Sequence, residues 1–419
     1  MKKNLIPYIV LLLLFINESQ GQTLTTTELS FLKKHAKKIS LEELNLSTDW
    51  NSLLTKIKNK RIVLLGEFNH GSKEIFQLHN DLIRSLHEKE GFNVILFESG
   101  IGELILADMD RNNMTPEQMV NGFFGNWRTK EFKYLMSFVK SENISIAGFD
   151  VQRTGGSFKY LLKELCSDKE VDTIISNNIE DRYGSIQREL SNRSAVYDSV
   201  RSKTNRLTQD YQNLYDLLIK NYSMDNSKKL LISLKTIANR ITYLQYMLQF
   251  LQDKDWNKRW LARDSAMAGN IEWLIENFYK NKKIIVIGHN YHISKFNEEE
   301  EVMGEFLKMK YESEMYSLGV FASKGSYLGN YGTEKKLVPT DSSNLDIKYV
   351  INILEGKVNF INIPKKSNKK NKWLFNEIIV NDSFIDLRGS NKMILSKHFD
   401  GLLLIDKVSP AYKESTPKS

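Results

Sequence analysis

The sequence contains a single cysteine, Cys166, among its 419 residues. One cysteine cannot form a disulfide bond within the chain, so side-chain packing must stabilise the fold. Cys166 lies in YLLKELCSDKE, where apolar residues recur at helical spacing, and we interpret it as part of a helix face. We therefore assign this cysteine no catalytic role.

Long apolar runs are also scarce. The run from Leu5 to Ile16 is too short to span a membrane, and no later segment approaches the required length of about 18 apolar residues. Two lysines precede this run and the polar stretch NESQGQT follows it, a pattern typical of a secretory signal peptide. We predict a signal peptide over residues 1–21, cleavage after Gly21, and an exported, periplasmic protein without a membrane span.

The sequence lacks the motifs of several common protein classes. It has no G-x-S-x-G elbow, no P-loop and no G-x-G-x-x-G stretch, which argues against a serine hydrolase and a nucleotide-binding protein. The formal net charge is +8, but the densest basic runs, KIKNKR (56–61) and PKKSNKKNK (364–372), contain no aromatic residues on which bases could stack. We therefore predict no nucleic-acid partner.

Four apolar runs have the character of buried parallel strands, because they lack the alternation of a half-exposed sheet. These runs are RIVLLGE (61–67), NVILFES (93–99), ISIAGFD (144–150) and KIIVIGHN (283–290). Helical patterns separate the first three, and Thr115-Pro116-Glu117-Gln118 has the residues of a helix start. This alternation predicts the α/β class, with a mainly parallel central sheet flanked by helices.

The region between residues 155 and 282 differs from the rest of the chain, because it shows helical periodicity and no strand-like run. We predict a large helical insertion over 155–282, which packs beside the sheet. The α/β core then comprises residues 22–154 and 283–410, with short β-like pieces returning after residue 310. Residues 411–419 are predicted to be a disordered tail.

Polar residues follow each of the four predicted strands. In open α/β sheets, ligands bind outside the carboxyl ends of the strands. Singly, each residue could cap a helix or bond a backbone group, but four strand ends together predict an active site. The residues at these ends are Glu67 and His70, then Glu98, Asp150, and finally His289 with His292.

Carboxylates and imidazoles are the groups that activate water by general base catalysis. One hypothesis is metal-free hydrolysis, in which an imidazole is the base, a carboxylate orients it, and other histidines stabilise the oxyanion. The alternative is a zinc or manganese site, for which five side chains are suitable ligands: Glu67, His70, Glu98, His289 and His292. The residue pattern does not decide between the two.

The segment LLGEFNHGSKEIFQLHNDLIRSLHEKEGFNVILFESG (64–100) resembles the signature of the erythromycin esterase family. That signature is G-E-x-x-H-G, followed by an amphipathic helix and a strand that ends in glutamate. Later motifs of the family follow in order along nearly the whole mature chain: NWRTKEF (126–132), IAGFDVQ (146–152), RDSAMAGN (263–270), GHNYH (288–292) and HFDGLLLID (398–406).

The resemblance implies a carboxylic ester hydrolase that opens the macrolactone of 14-membered macrolide antibiotics and so confers resistance. It also implies an α/β core in which a helical portion closes a deep cleft around a small-molecule substrate. Carried over by motif, His70 is the general base, and Glu67 is its orienting partner. Three residues would complete the cleft and stabilise the tetrahedral intermediate: Glu98, His289 and His292.

Further residues have implied supporting or substrate-binding roles: Trp127, Asp150, Arg263 and His79. His79 departs from the pattern, because members that act on macrolides tend to carry an arginine nine residues after the motif histidine. This departure keeps open a second hypothesis, an exported hydrolase of another ester or amide, with or without a divalent metal. A binding module is the third, and it is disfavoured because a binder needs no complete acid–base set. We predict no cofactor, with a divalent metal as the alternative.

Overall fold

The computed structural model describes residues 23–40, 50–165, 169–192, 194–222, 227–330, 332–340, 345–381 and 392–412. The predicted signal peptide, Cys166 and residues 413–419 of the predicted tail lie outside this part of the chain. Ala411 is buried, and its N–H donates to the carbonyl of Gly71. Within the described ranges, no helix has both the length and the apolar character needed to cross a membrane.

The strands include all four that the sequence predicts to be parallel. In chain order they are β1 (Lys37–Ile39), β2 (Ile62–Glu67), β3 (Phe92–Gly100), β4 (Ser145–Asp150), β5 (Lys283–His289), β6 (Met315–Leu328), β7 (Glu334–Lys336), β8 (Val358–Asn362), β9 (Ile378–Ile379), β10 (Lys392–Met393) and β11 (Gly401–Val408).

Nine of these strands form one sheet in the order β1-β8-β11-β6-β2-β5-β3-β4, with β7 paired to β6. The six strands from β11 to β4 are parallel to one another. Antiparallel pairing occurs at one edge, where β8 pairs with β11 and β1, and at the carboxyl end of β6, where β7 pairs with it. The predicted class, an α/β fold with a mainly parallel sheet, is confirmed.

Helices make up most of the remaining regular structure. They are α1 (Thr26–His35), α2 (Asn51–Ile57), α3 (Lys73–Glu90), α4 (Ile101–Met109), α5 (Pro116–Met119), α6 (Lys130–Ser141), α7 (Phe158–Leu165), α8 (Lys169–Ser176), α9 (Ile179–Leu190), α10 (Tyr197–Asn221), α11 (Lys228–Asp253), α12 (Trp256–Phe278), α13 (Asn290–Ile293), α14 (Met303–Tyr311), α15 (Ile347–Asn352) and α16 (Leu395–His398). Short 3₁₀ turns span Val120–Gly122, Gly125–Trp127, Glu312–Glu314 and Lys372–Leu374.

Alternate residues of the central strands pack against opposite layers of helices. Ile62 and Leu64 of β2 belong to the core on one face, and Val63 and Leu65 belong to the core on the other. All four side chains are at most 1% exposed. Burying such a side chain contributes about 1.5–3 kcal/mol, which explains why the strand contains no polar alternation.

Helices α7 to α12 occupy the chain between β4 and β5, the region predicted to be a helical insertion. A buried ion-pair network connects these helices to the core. Arg240 of α11 is 1% exposed and donates to Glu103 of α4 and to both oxygens of Glu180 in α9. The hydroxyl of Tyr211 also donates to Glu180, at 2.6 Å. Charged contacts therefore hold the insertion against the helix that follows β3.

The helix start at Thr115 is confirmed. Thr115 Oγ1 accepts the N–H of Gln118 at 3.3 Å, and Gln118 Oε1 accepts the N–H of Thr115 at 2.7 Å. These reciprocal bonds form a capping box, and Pro116 occupies the first helical position of α5.

Candidate active site

The carboxyl ends of neighbouring parallel strands bring the predicted polar residues together. β2 and β5 pair in register, so that Glu67 lies opposite His289. On the other side of β5, β3 carries Glu98, whose Oε2 accepts the backbone N–H of His289 at 2.9 Å. Asp150 is the last residue of β4, the next strand in the sheet. All four strand ends therefore contribute to one rim of the sheet.

Glu67 and His70 are directly hydrogen-bonded. His70 Nδ1 donates to Glu67 Oε1 at 2.6 Å, and Trp127 Nε1 donates to the same oxygen at 3.1 Å. Glu67 and Trp127 are at most 1% exposed, whereas 24% of the His70 side chain is exposed. A buried carboxylate thus orients an imidazole that water or a small molecule can reach.

The environment of Glu67 makes its ionised form costly. Burial raises the pKa of the Glu67 carboxyl above its ordinary value, and the negative charge of Glu98 acts in the same direction. The contacts with His70 and Trp127 act in the opposite direction. In the described structure, Glu67 Oε2 has no hydrogen-bond partner. A buried carboxylate of this kind is costly when ionised, and an adjacent imidazolium offsets that cost.

Arg263 is the centre of a second group of contacts. Its Nη2 donates to Glu98 Oε1 at 2.8 Å and to Asp150 Oδ2 at 2.6 Å, and its Nη1 donates to His292 Nε2 at 2.9 Å. All four residues are buried. The guanidinium therefore pairs with two buried carboxylates that would otherwise carry uncompensated charge.

Glu98 is held in its ionised form. Burial by itself would raise the pKa of this carboxyl, but the neighbouring His292 and the guanidinium of Arg263 outweigh it and hold the pKa well below its usual range. The imidazole of His70 and the backbone N–H of His289 act in the same direction. Glu98 thus contributes a fixed negative charge beside the guanidinium of Arg263.

His289 is held as a neutral imidazole. Its Nε2 donates to the carbonyl of Phe68 at 2.9 Å, and its Nδ1 accepts the backbone N–H of Tyr291 at 3.2 Å. Burial lowers the pKa of His289 to about 3, and the imidazoles of His70 and His292 add to this effect. Because the backbone uses both ring nitrogens, His289 shapes the site in this conformation without exchanging a proton.

Asp264 was missed by the sequence prediction. His292 Nδ1 donates to Asp264 Oδ1 at 2.7 Å, and Asp264 is completely buried. Gln152 was also missed: in the amide orientation that satisfies both of its polar atoms, its oxygen accepts from Arg263 Nε at 2.7 Å. Asp264 and Gln152 lie in RDSAMAGN and IAGFDVQ, so these motifs were the signal that could have identified them.

A family model described as erythromycin esterase matches residues 87–408, which is most of the chain. The chain belongs to the erythromycin esterase family. The sheet and flanking helices described above are those of an erythromycin esterase-like fold.

Relatives with assigned names support a hydrolase. YbfO of Bacillus subtilis (strain 168), which bears the provisional name of a hydrolase, is 24% identical over 417 residues and covers 91% of both chains. Erythromycin esterase type II of Escherichia coli is 27% identical over 271 residues, which are 59% of this chain and 64% of that protein. A solved structure of an erythromycin esterase mutant in its open conformation has a TM-score of 0.60 at 18% identity, over 86% of this chain and 95% of that one.

In this erythromycin esterase family member, His79 supports the strand that carries Glu67. Its Nε2 donates to the carbonyl of Gly66 at 3.0 Å, and the residue is 3% exposed. Burial lowers the pKa of His79 to about 4, so the ring is neutral near pH 7. His79 therefore contacts backbone directly behind the active-site carboxylate, at the position where macrolide-hydrolysing members tend to carry arginine.

The predicted metal ligands are engaged in hydrogen bonds with protein groups. Arg263 binds Glu98, and the ring nitrogens of His289 and His292 all have hydrogen-bond partners. Among the residues that the structure describes, no group of three or more histidine, cysteine, aspartate and glutamate side chains is arranged to hold a metal ion. The requirement for a cofactor stays a matter of prediction, which chelation can test.

The predicted residues of this erythromycin esterase-like site form two bonded groups. The first comprises Glu67, His70 and Trp127. The second comprises Glu98, Asp150, Arg263 and His292. His289 lies between them, with its ring centroid 5.4 Å from that of His70 and 6.4 Å from that of His292. A partly exposed imidazole beside a buried guanidinium is the equipment for adding water to a carbonyl.

Proposed function

We propose that this protein is an esterase that opens the lactone ring of 14-membered macrolide antibiotics by adding water to the ester bond. The observation that carries the proposal is the 2.6 Å hydrogen bond from the partly exposed imidazole of His70 to the buried Glu67. Membership in the erythromycin esterase family and the likeness to the Escherichia coli type II enzyme support the choice of substrate.

His70 acts as the general base. Because its Nδ1–H donates to Glu67, Nε2 is the nitrogen that takes a proton from water. Glu67 stabilises the imidazolium that forms, and the N–H of Trp127 steadies the carboxylate. His289 and His292 are less suited to this role, because each is almost fully buried and both of its ring nitrogens have partners.

The reaction proceeds through a tetrahedral intermediate. The water oxygen bonds to the ester carbonyl carbon while one of its protons passes to His70 Nε2, and the carbonyl electron pair moves onto the carbonyl oxygen. When the intermediate collapses, the bond from carbon to the ring oxygen breaks. His70 then returns the proton to the leaving alkoxide, which yields a linear hydroxy acid and restores the neutral base.

Arg263 supplies the positive charge that stabilises the oxyanion. Glu98, Asp150 and His292 hold its guanidinium in one orientation, so little reorganisation is needed as charge develops on the substrate. Such preorganised donors act strongly in a site from which water is largely excluded. His289 completes the wall between this group and His70.

The predicted export would place the reaction in the periplasm. A periplasmic esterase would meet a macrolide before the drug enters the cytoplasm, and opening the lactone there would confer resistance. The small-molecule substrate, the periplasmic location and the resistance phenotype are parts of this proposal.

The test is hydrolysis of erythromycin by the purified protein, followed by mass spectrometry for the addition of one water. His70→Ala should abolish the product, whereas His35→Ala, which replaces an exposed histidine on α1, should leave the rate unchanged. Incubation with a chelator should have no effect. Absence of product from correctly folded wild-type protein would refute the macrolide substrate and leave the family assignment intact.

A second candidate is an exported hydrolase of another ester or amide. The observation that favours it is His79, which is neutral and bonded to the backbone where macrolide-acting members tend to carry a charged arginine. A panel of lactones, acyclic esters and amides, assayed with and without added zinc or manganese, distinguishes the two candidates. Activity on other esters without activity on erythromycin would establish the second.

A further inference from the structure

We propose that Asp264 is a positioning residue of the active site. It fixes the tautomer of His292, and His292 in turn holds the guanidinium of Arg263 beside Glu98. Asp264 is completely buried in α12, and its Oδ1 accepts the Nδ1–H of His292 at 2.7 Å. The effect on catalysis rests on the proposed esterase function, whereas the effect on the tautomer does not.

The tautomer of His292 follows from the chemistry of its two partners. A guanidinium can only donate, so the 2.9 Å contact between Arg263 Nη1 and His292 Nε2 requires a lone pair on Nε2. The neutral ring must then carry its proton on Nδ1, where the carboxylate of Asp264 accepts it. Both contacts are satisfied only by the Nδ1–H tautomer.

Asp264 itself is held in place by a second contact. Its Oδ1 also accepts the backbone N–H of Met303 at 2.9 Å, and Met303 is the first residue of α14. This N–H has no partner within its own helix, so the carboxylate satisfies it. Oδ1 of Asp264 on α12 therefore bonds to both α13 and α14. These two bonds fix the position of the oxygen, and the oxygen in turn fixes the imidazole of His292.

Loss of the acceptor at residue 264 would change the whole group of contacts. Glu98 Oε1 lies 3.4 Å from His292 Nε2 and is the nearby alternative acceptor. Without Asp264, a buried Nδ1–H would lack a partner, which is costly. The ring would then place its proton on Nε2, donate to Glu98, and displace Nη1 of Arg263. The cation assigned to the oxyanion would thereby lose one of its supports.

The direct test is nuclear magnetic resonance of the protein labelled with ¹⁵N-histidine, because protonated and unprotonated ring nitrogens have well-separated shifts. The His292 signals are assigned by their loss in His292→Gln. We expect the Nδ1–H tautomer in the wild type and the Nε2–H tautomer in Asp264→Ala. Asp264→Leu, which removes the acceptor but introduces a larger apolar side chain where alanine would leave a cavity, should give the same result as alanine.

Two further variants separate positioning from simple structural support. Asp264→Asn should retain the wild-type tautomer, because the N–H of Met303 keeps the amide oxygen directed toward the imidazole. Asp255→Ala removes the exposed cap of the same helix, where Oδ1 accepts the N–H of Lys258 at 3.1 Å. It should lower thermal stability without changing the tautomer or kcat.

The second measurement is of kcat and KM for hydrolysis of the ester substrate. Asp264→Ala should lower kcat roughly 10- to 100-fold, as supporting residues commonly do, with KM little changed, and Asp264→Asn should recover most of that loss. A wild-type His292 in the Nε2–H form would overturn the inference, as would an Asp264→Ala protein with the wild-type tautomer and kcat. Wild-type protein with the expected tautomer but no hydrolysis of erythromycin would refute only the proposed substrate.

Discussion

Replacing Glu67 with glutamine separates the charge of this residue from its shape. The amide oxygen can still accept from His70 and Trp127, but the negative charge is lost. A hydrogen bond to a charged partner contributes about 1.5–3 kcal/mol, against about 0.5–1.5 kcal/mol for a neutral one. The difference, about 1–2 kcal/mol, applies when the imidazolium forms in the transition state. Because 1.36 kcal/mol corresponds to a factor of ten, kcat should fall roughly 5- to 30-fold.

The same substitution should leave the fold at least as stable. Burial raises the pKa of Glu67, so the folded state binds a proton at this carboxyl more tightly than the unfolded state does. The contribution of Glu67 to folding stability is then greatest at low pH and is lost as pH rises above the ordinary value. Glutamine resembles the protonated form, and Glu67→Gln should therefore unfold at a temperature equal to or above that of the wild type.

The assay measures kcat and KM for lactone hydrolysis beside the thermal midpoint of unfolding. Glu28→Gln is the matched control, since Glu28 is another buried glutamate and accepts three hydrogen bonds, from the N–H and the hydroxyl of Thr25 and from the N–H of Trp373. This control should lower the midpoint and leave kcat unchanged. An unchanged kcat in Glu67→Gln would show that the charge of Glu67 has no role in catalysis. A reduced kcat together with a lower midpoint of unfolding would attribute the loss of activity to a damaged fold instead of to the lost charge.

Two further predictions concern stability. Below about pH 6.5, the unfolded chain binds more protons at His79 than the folded protein does. The free energy of unfolding therefore falls as the pH drops toward the lowered pKa of His79, about 4. His79→Gln keeps a donor for the carbonyl of Gly66. The loss of unfolding free energy between pH 7 and pH 5, measured by urea unfolding, should be about 2 kcal/mol smaller in this variant than in the wild type. An unchanged pH dependence would contradict the argument that burial lowers the pKa of His79. Arg240→Met leaves the buried Glu103 without its guanidinium partner and leaves Glu180 with only Arg153 and Tyr211, so it should cost about 3–5 kcal/mol in the same assay, with recovery when both glutamates are also changed to glutamine.

The active-site rim could be predicted because its signals are local. Each parallel strand is a short apolar run with a polar residue at its end, and parallel strands place those ends on the same edge. Glu67 and His70 flank one turn, so their contact follows from a separation of three residues. The register that sets Glu67 opposite His289 needed only that β2 and β5 be neighbours.

Contacts that depend on how helices pack were not predictable in the same way. Arg263 and Asp264 are adjacent in α12, and adjacent helix residues point about 100° apart. The resemblance implied a role for Arg263 alone, yet His292 contacts both residues. The antiparallel pairing of β8 was missed too. VNFIN is a short run, and its own residues do not indicate that it pairs with the distant strands β11 and β1.

The charges of the site predict a preference among substrates. The carboxylates of Glu98, Asp150 and Asp264 are buried around the guanidinium of Arg263, so negative charge is in excess. A substrate carboxylate about 8 Å from one uncompensated charge, at an effective dielectric constant of about 20, is destabilised by about 2 kcal/mol. We therefore expect kcat/KM roughly 30-fold lower for an ester with a terminal carboxylate than for a neutral ester of equal length.

The measurement uses such a pair of chromogenic esters, with their spontaneous hydrolysis rates as the control for intrinsic reactivity. Equal kcat/KM values for the two esters would mean that protonated imidazoles neutralise the excess negative charge. The assignment of His70 as a neutral base would then be refuted together with the predicted preference. A strong preference for the neutral ester would also argue against phosphate and other anionic esters as substrates. The same negative excess explains why the guanidinium of Arg263 needs His292 as a further partner: it must remain directed at the substrate while the carboxylates of Glu98 and Asp150 compete for its N–H groups.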